Sequence, residues 1–114
     1  MMKYYEEEKA SVLIIHLSGK IMEAEDLNEL CKDLTSRLGK GSLKVLFDFR
    51  NVRWINSTGI GSILGCLTTL QKKGGDVRFT NLSSATKHYF HITKIDTVVK
   101  IYESWEEALA DFGD

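Results

Sequence analysis

The sequence predicts an α/β fold with a mixed, mainly parallel sheet of about five strands and about four helices. Short apolar, β-branched runs alternate along the chain with longer segments whose apolar residues recur every three or four positions. Strands that are separated by helices pair as parallel neighbours, which makes the sheet mainly parallel. The 114 residues contain no proline and no Gly/Ser-rich linker, so we expect one domain over residues 1–114.

The first half of the chain contains three predicted strands and one helix. Residues 12–18 and 43–49 are dense apolar runs and are predicted as buried strands, whereas a weaker strand covers residues 3–7. Between the two buried strands, leucines recur at helical spacing with charged residues on the opposite side, which predicts an amphipathic helix. We expect Gly39 to end this helix and Gly41 to precede the third strand.

The second half of the chain repeats the alternation. A long amphipathic helix is predicted after residue 56, and it ends at the Gly74-Gly75 pair. The last helix begins near Ser104, which has capping-box spacing with Glu107. The elements between these two helices are a strand over 76–80, a helical turn near 84–90 and a strand over 97–102.

Composition and charge exclude several classes of protein. Fifteen Lys and Arg against 16 Asp and Glu leave a net charge of -1, which argues against nucleic acid as a partner. The start of the chain is polar and no apolar stretch approaches about 20 residues, so we expect a cytoplasmic protein with no direct membrane contact. Cys31 and Cys66 do not form a CxxC pair, which fits a reducing compartment, and each is interpreted as a small buried or half-buried hydrophobic residue.

The segment from Asn51 to Gly61 departs from this pattern by concentrating small hydroxylated residues and glycines at the start of a helix. In open α/β sheets, binding sites gather at the carboxyl ends of strands and at the helices that follow. Ser57 or Thr58 in such a position is also explained as a helix cap. We therefore treat this segment as the first place to look for a site.

These residues resemble the core of the STAS domain of bacterial anti-sigma factor antagonists. In that family a strand ending in an Asp is followed by an apolar pair, the motif D-S-[ST]-G-[LI]-G, and an amphipathic helix that ends in Gly-Gly. The resemblance runs from about Val12 to Tyr102. The matching residues are Asp48, Val52, Ile55, Ser57, Thr58, Gly59, Ile60, Gly61, Leu64 and Gly74-Gly75.

The resemblance implies a protein-binding switch that is not an enzyme and needs no cofactor. The serine of the motif, Ser57, is then the phosphoacceptor of an anti-sigma factor that is itself an ATP-binding serine kinase. A serine phosphatase reverses the modification, and the unmodified form binds the anti-sigma factor. Two residues depart from the family, since Asn56 and Met22 stand where acids are usual. They leave open the alternative of a constitutive STAS scaffold or sensor-adaptor module that Ser57 phosphorylation does not regulate.

The predicted partner surface combines the motif with the outward face of the second long helix. Trp54, just before the motif, fits either the core or an exposed interface anchor. We expect Asp48 to hold the loop before Ser57 by accepting hydrogen bonds from its backbone. The predicted partner-binding residues are Trp54, Asn56, Ser57, Thr58, Gly59, Gly61, Ser62, Gly65, Cys66 and Thr69.

Enzyme, metal and nucleotide sites fit the sequence less well. A hydrolase is disfavoured because there is no G-x-S-x-G motif and no acid is evidently placed to complete a triad with His16, His88 or His91. His88 and His91 have no Cys or carboxylate at matching spacing to complete a metal site. Gly59, Gly61 and Gly65 form GxGxxxG, which differs from the dinucleotide motif and indicates close approach of the helix to the sheet or to a partner. A response-regulator receiver domain needs a pair of acidic residues after its first strand to hold magnesium. The corresponding turn of this chain is Ser-Gly-Lys-Ile-Met, which contains no acid.

Overall fold

Residues 2–38 and 43–112 are described by the structure, a computed structural model, and they form alternating strands and helices. Short 3₁₀ turns at Ala24–Leu27 and Ile95–Thr97 precede the first helix and the last strand. The strands are β1 (Met2–Lys9), β2 (Val12–Ile21), β3 (Lys44–Ile55), β4 (Asp76–Thr80) and β5 (Lys100–Tyr102). The α-helices are α1 (Asn28–Arg37), α2 (Ser57–Lys72), α3 (Ser84–Ile92) and α4 (Trp105–Phe112).

The five strands form one sheet in the order in which they occur along the chain. β1 pairs with β2 in the antiparallel sense, because only two residues connect them. Every later pair, from β2–β3 to β4–β5, is parallel. This confirms the mixed, mainly parallel sheet that the sequence predicts.

Alternation along the buried strands sends neighbouring residues to opposite faces of the sheet. Ile15 and Phe47 belong to the larger core, which includes residues of α1, α2 and α3. Ile14 and Leu46 belong to a smaller core with Ala108 of α4. Both faces of the central strands are therefore covered, which explains why residues 12–18 and 43–49 are almost continuously apolar.

β3 is longer than the predicted strand over 43–49, since it continues to Ile55. Its pairing with β2 shifts register twice, between His16 and Ser18 and again between Gly19 and Lys20. Each shift places an extra residue in β3, and such bulges let a strand continue while its side chains are re-aimed. As a result, Asp48 lies inside the strand rather than at its end.

The helix boundaries largely agree with the sequence signals. α2 ends at Lys72, Gly74 has a φ of 92°, and the Gly75 N–H donates to the Leu70 carbonyl at 2.9 Å. At α4 the Glu107 N–H donates to the Ser104 hydroxyl at 3.2 Å. Gly39 and Gly41, expected to end the first helix and precede the third strand, lie outside the described residues.

Two predicted elements are divided in the structure. The segment before α1 forms the 3₁₀ turn at Ala24–Leu27, so the α-helix itself starts only at Asn28. The strand predicted over 97–102 is shortened to β5, because Lys94 is left-handed at φ 63° and starts the turn at Ile95–Thr97. None of the described helices is both long and apolar enough to cross a membrane.

Candidate functional site: the start of helix α2

Ser57 is the first residue of α2, and the cap of this helix is supplied by the residue before it. The Asn56 side-chain oxygen accepts a hydrogen bond from the Gly59 N–H at 2.8 Å. Ser57 and Thr58 are exposed, and the Ser57 hydroxyl makes no hydrogen bond within the described part of the chain. Because Asn56 does the capping, the Ser57 hydroxyl is left open to other molecules.

Gly59 allows the start of α2 to lie directly against the end of β2. A Cβ built on Gly59 would lie 1.9 Å from the Ile21 carbonyl oxygen, a distance that no real contact permits. The backbone N–H of Asn56 also donates to this carbonyl at 3.4 Å. A glycine is therefore required here for close packing of two backbones.

The turn after β2 holds Met22 next to this helix start. Asp26 accepts hydrogen bonds from the backbone N–H groups of Met22 and Glu23, both at 3.0 Å through the same carboxylate oxygen. The Met22 side chain is 38% exposed. An apolar side chain is therefore partly exposed at this turn.

Trp54 is 58% exposed and does not belong to the core. The reason is the second bulge in β3, where Val52 pairs with Gly19 and Trp54 pairs with Lys20, leaving Arg53 without a partner. Arg53 and Trp54 are consecutive and both exposed, so neither side chain is covered by a helix at this end of β3. Of the two placements considered for Trp54, the structure therefore shows the exposed one.

All of the predicted partner residues except Gly59, which is buried and lines neither surface, divide between two concave surfaces on either side of α2. The first is a pocket of about 400 Å³ between the end of β3 and α3. The second is a groove of about 790 Å³ between α1 and α2. The pocket is lined in part by Arg53, Trp54, Asn56, Ser57, Thr86 and Tyr89. The groove is lined in part by Thr58, Gly61, Ser62, Gly65, Cys66 and Thr69.

The predicted partner surface missed most of the residues that line the pocket, among them Arg53, Thr86 and Tyr89. Arg53 adjoins the predicted Trp54, but regular strand alternation would turn its side chain to the opposite face. Thr86 and Tyr89 come from α3, about 30 residues further along the chain. Only the position of α3 beside β3 brings them to the site.

Cys31 and Cys66 form a disulfide between α1 and α2, with their Cα atoms 5.6 Å apart. Cys66 is buried and Cys31 is half-buried, as expected, but the expectation of reduced thiols is wrong. Cys66 is 5% exposed, so the expectation that it points outward from α2 is also wrong. The two residues are 35 positions apart, and no local spacing signals a pair that is formed by two helices packing side by side.

Asp48 is 5% exposed and stabilises the strand rather than the loop before Ser57, which corrects the predicted role. One carboxylate oxygen accepts from the Arg50 N–H at 3.0 Å and from the Asn81 side chain at 2.9 Å. Arg50 lies in the first bulge, where it has no partner in the register with β2. The carboxylate therefore satisfies a backbone group that the bulge leaves unpaired.

His16 contacts two acids, but these contacts form no triad with Ser57. Its Nδ1 lies 2.7 Å from the second carboxylate oxygen of Asp48, and its Nε2 lies 2.8 Å from a carboxylate oxygen of Glu7. The hydrogen bond from His16 lowers the pKa of the Glu7 carboxyl below its usual value. His91 also contacts an acid, since its Nδ1 lies 2.9 Å from the Asp96 carboxylate.

These contacts do not assemble a catalytic site around Ser57. The Ser57 hydroxyl has no histidine partner among the described residues, so no general base is in place. The described residues also contain no group of three or more His, Cys, Asp or Glu arranged to hold a metal ion. What the described residues present at this end of α2 is an exposed serine hydroxyl.

Comparison with known proteins identifies the family. A family model for the STAS domain matches residues 5–108, which is most of the chain. The chain belongs to the STAS domain family. The matched residues run from β1 into α4 and include Ser57.

The curated relatives of this STAS domain include anti-sigma factor antagonists. The chain is 31% identical over 74 residues to the TM1081 homolog of Thermotoga neapolitana, a candidate anti-sigma factor antagonist. This match covers 65% of the chain and 66% of that relative, which is just under two thirds of its length.

Solved structures show the same STAS fold. The TM1081 protein of Thermotoga maritima matches with a TM-score of 0.79 at 22% identity, covering 95% of this chain and 92% of that one. The antagonist SpoIIAA in its unphosphorylated form matches with a TM-score of 0.70 at 17% identity, covering 96% of each chain. SpoIIAA of Bacillus in its phosphorylated form matches with a TM-score of 0.69, covering 96% of this chain and 99% of that one.

Proposed function

We propose that this chain is a cytoplasmic anti-sigma factor antagonist that acts by partner switching and has no catalytic activity of its own. In the unphosphorylated state it binds an ATP-binding anti-sigma factor that is a serine kinase, and phosphorylation of Ser57 releases this partner. A serine phosphatase restores the unmodified form. The observation that carries the proposal is the exposed Ser57 hydroxyl, which makes no hydrogen bond to the described residues and lies at the start of a helix capped by Asn56.

A phosphate on Ser57 would alter the binding surface without disturbing the fold. It adds about 1.5 to 2 negative charges, and the start of a helix tolerates an anion because the helix dipole is positive there. A partner surface shaped for a neutral hydroxyl does not tolerate the phosphate, since burying an uncompensated charge costs about 3 to 5 kcal/mol. Phosphorylation therefore separates the partner while the antagonist stays folded.

The family supports this proposal. Anti-sigma factor antagonists of the STAS family are generally non-enzymatic. SpoIIAA, whose fold this chain shares, has been solved in both an unphosphorylated and a phosphorylated form. That protein is thus known with and without the modification that we propose for Ser57.

The test is phosphoryl transfer to this chain by the ATP-binding protein that co-purifies with it from its native cells. We expect phosphate on the wild-type protein and on Thr58→Ala, which removes the neighbouring exposed hydroxyl, but none on Ser57→Ala. Mass spectrometry of the peptide that contains Ser57 identifies the modified residue. A Ser57→Ala protein that is phosphorylated as strongly as the wild type would show that the proposed acceptor is wrong.

The alternative is a constitutive STAS module, and one observation favours it. The first turn of α2 contains no acidic residue, and Asn56 keeps the cap but not the charge that the family usually has at this position. If the missing charge slows phosphorylation, Asn56→Asp should be phosphorylated faster than the wild type in the same assay. An absence of phosphate on both proteins, with only scaffold or sensor proteins captured, would favour the constitutive module.

A further inference from the structure

The surface on the β2 side of Trp54 combines exposed apolar area with unpaired positive charge. We call it the Trp54 surface, and it is a concavity of about 650 Å³ lined by Gly19, Lys20, Met22, Arg53 and Trp54. The Trp54 and Met22 side chains are 58% and 38% exposed. Lys20 and Arg53 are exposed, and within the described residues neither forms an ion pair.

The Trp54 surface continues into the pocket that contains Ser57. Arg53 and Trp54 line both concavities and therefore form the ridge between them. Tyr89, which is 37% exposed, lies on the far side of this pocket. A segment that crosses the ridge would contact aromatic side chains on both sides and would pass over Ser57.

The charged side chains that line the Trp54 surface and the adjoining pocket are all positive. Among the described residues, no Asp or Glu lines either concavity, although the whole chain has a net charge of -1. Glu23 follows Met22 and is exposed, but it lines neither of them. The complementary ligand therefore carries negative charge.

The geometry points to an acidic segment of a protein partner, with apolar side chains between its carboxylates, as the ligand of the Trp54 surface. Tryptophan, tyrosine and arginine are enriched among the residues that contribute most to binding at protein interfaces. An anionic membrane fits less well, because lipid-binding patches usually contain about four to eight cations and this surface has two. Only the identification of this partner as the anti-sigma factor rests on the proposed function.

This assignment supplies a physical reason for release after phosphorylation. Ser57 lines the pocket that Arg53 and Trp54 also line. A phosphate on Ser57 would place its negative charge beside carboxylates of a bound acidic segment, and it would also compete with them for Arg53. Both effects weaken binding.

The experiment measures binding of two labelled peptides to the whole protein by fluorescence anisotropy. One is a short peptide of Glu and Leu, and the other has Lys at every Glu position. We expect saturable binding of the Glu peptide alone, with an affinity that falls as the salt concentration rises, because salt screens exposed charges. Equal binding of both peptides, or binding of neither, would overturn the assignment.

Charge reversal tests whether the Trp54 surface is the site. Lys20→Glu with Arg53→Glu should weaken binding of the Glu peptide about tenfold or more. Lys72→Glu with Lys73→Glu changes the net charge equally at the opposite, exposed end of α2 and should leave binding unchanged. Trp54→Ala should also weaken binding, and circular dichroism checks that each variant is folded. Equal losses in both charge-reversal variants would show that only net charge matters and would overturn the assignment.

Co-sedimentation with phosphatidylglycerol vesicles tests whether the surface binds an anionic membrane instead. Binding to vesicles without binding to the Glu peptide would identify a membrane surface and would overturn the proposal of an acidic protein segment. The phosphorylation assay on Ser57 uses neither peptide nor vesicle. If the Glu peptide does not bind, the proposal that Ser57 is phosphorylated is unaffected. If Ser57 is not phosphorylated, the proposal that the Trp54 surface binds an acidic segment is unaffected.

Discussion

At the scale of single residues, the glycines of the motif have different roles that spacing alone does not reveal. A Cβ on Gly59 would meet the Ile21 carbonyl at 1.9 Å, whereas a Cβ on Gly61 or Gly65 would meet nothing within 4 Å. The GxGxxxG spacing predicted that these glycines let the helix lie close to the sheet or to a partner. Of the three, only Gly59 lies against a backbone group of the described residues, the Ile21 carbonyl at the end of β2. The two exposed glycines instead leave the floor of the groove between α1 and α2 without side chains.

We therefore expect alanine substitutions at Gly59 and Gly61 to have opposite effects on stability. Gly59→Ala should lower the free energy of unfolding by about 1 to 3 kcal/mol, because the neighbouring atom is a backbone carbonyl that must move. Gly61→Ala should raise it by up to about 1 kcal/mol, since alanine is the better helix former and has open space here. Urea denaturation of both variants measures the difference, and a Gly59→Ala protein as stable as the wild type would contradict the close approach.

At the scale of elements, the disulfide joins the two helices that flank the larger groove. Cys31 belongs to α1 and Cys66 to α2, and both line the groove that contains part of the predicted partner surface. The bond limits how far the two helices can separate. It therefore fixes the width of this groove as well as the packing of α1 on the core.

Breaking this bond should destabilise the protein. In the chain-entropy description, a cross-link between residues 35 positions apart contributes on the order of 3 to 4 kcal/mol by restricting the unfolded chain. Dithiothreitol reduces the bond by thiol–disulfide exchange and should lower the urea midpoint of the wild type. The Cys31→Ser/Cys66→Ser variant is the control, and its midpoint should not respond. A wild-type protein that is equally indifferent to the reductant would contradict a bond between these helices.

At the scale of the whole molecule, a row of polar side chains crosses the sheet near its centre. Glu7 of β1, His16 of β2, Asp48 of β3 and Asn81 after β4 are joined by contacts of 2.7 to 2.9 Å. Tyr5 stacks on the His16 ring, with 4.5 Å between the ring centroids. The row links antiparallel and parallel parts of the sheet through residues that are distant in sequence.

Lowering the pH should weaken this row of polar contacts at Glu7. The hydrogen bond from His16 lowers the pKa of Glu7 in the folded protein below its value of 4.5 in the unfolded chain. Glu7 therefore contributes stability above that value, and the contribution is lost as the pH falls through the lower pKa of the folded state. Glu7→Gln should reduce the loss of stability between about pH 5 and pH 3.

The control for this pH dependence is Glu8→Gln. Glu8 is exposed and makes no hydrogen bond or ion pair within the described residues. Thermal unfolding over this pH range should show the wild-type slope for Glu8→Gln and a shallower one for Glu7→Gln. Identical slopes for all three proteins would show that the contact between Glu7 and His16 does not contribute in solution.

The sequence by itself determined the alternation of strands and helices, the buried faces of the central strands, the ends of α2, and the position of Ser57 at a helix start. These features depend on residues within a few positions of one another, so local periodicity and capping signals are sufficient to predict them.

The tertiary structure alone decided the length of β3, the role of Asp48, the exposure of Trp54 and the pairing of Cys31 with Cys66. Each depends on which strand or helix lies alongside. The bulges in β3 arise from its register with β2, and the disulfide arises from the packing of α1 on α2. Such contacts join residues far apart in sequence, and their distances are set by packing of the whole core rather than by local spacing.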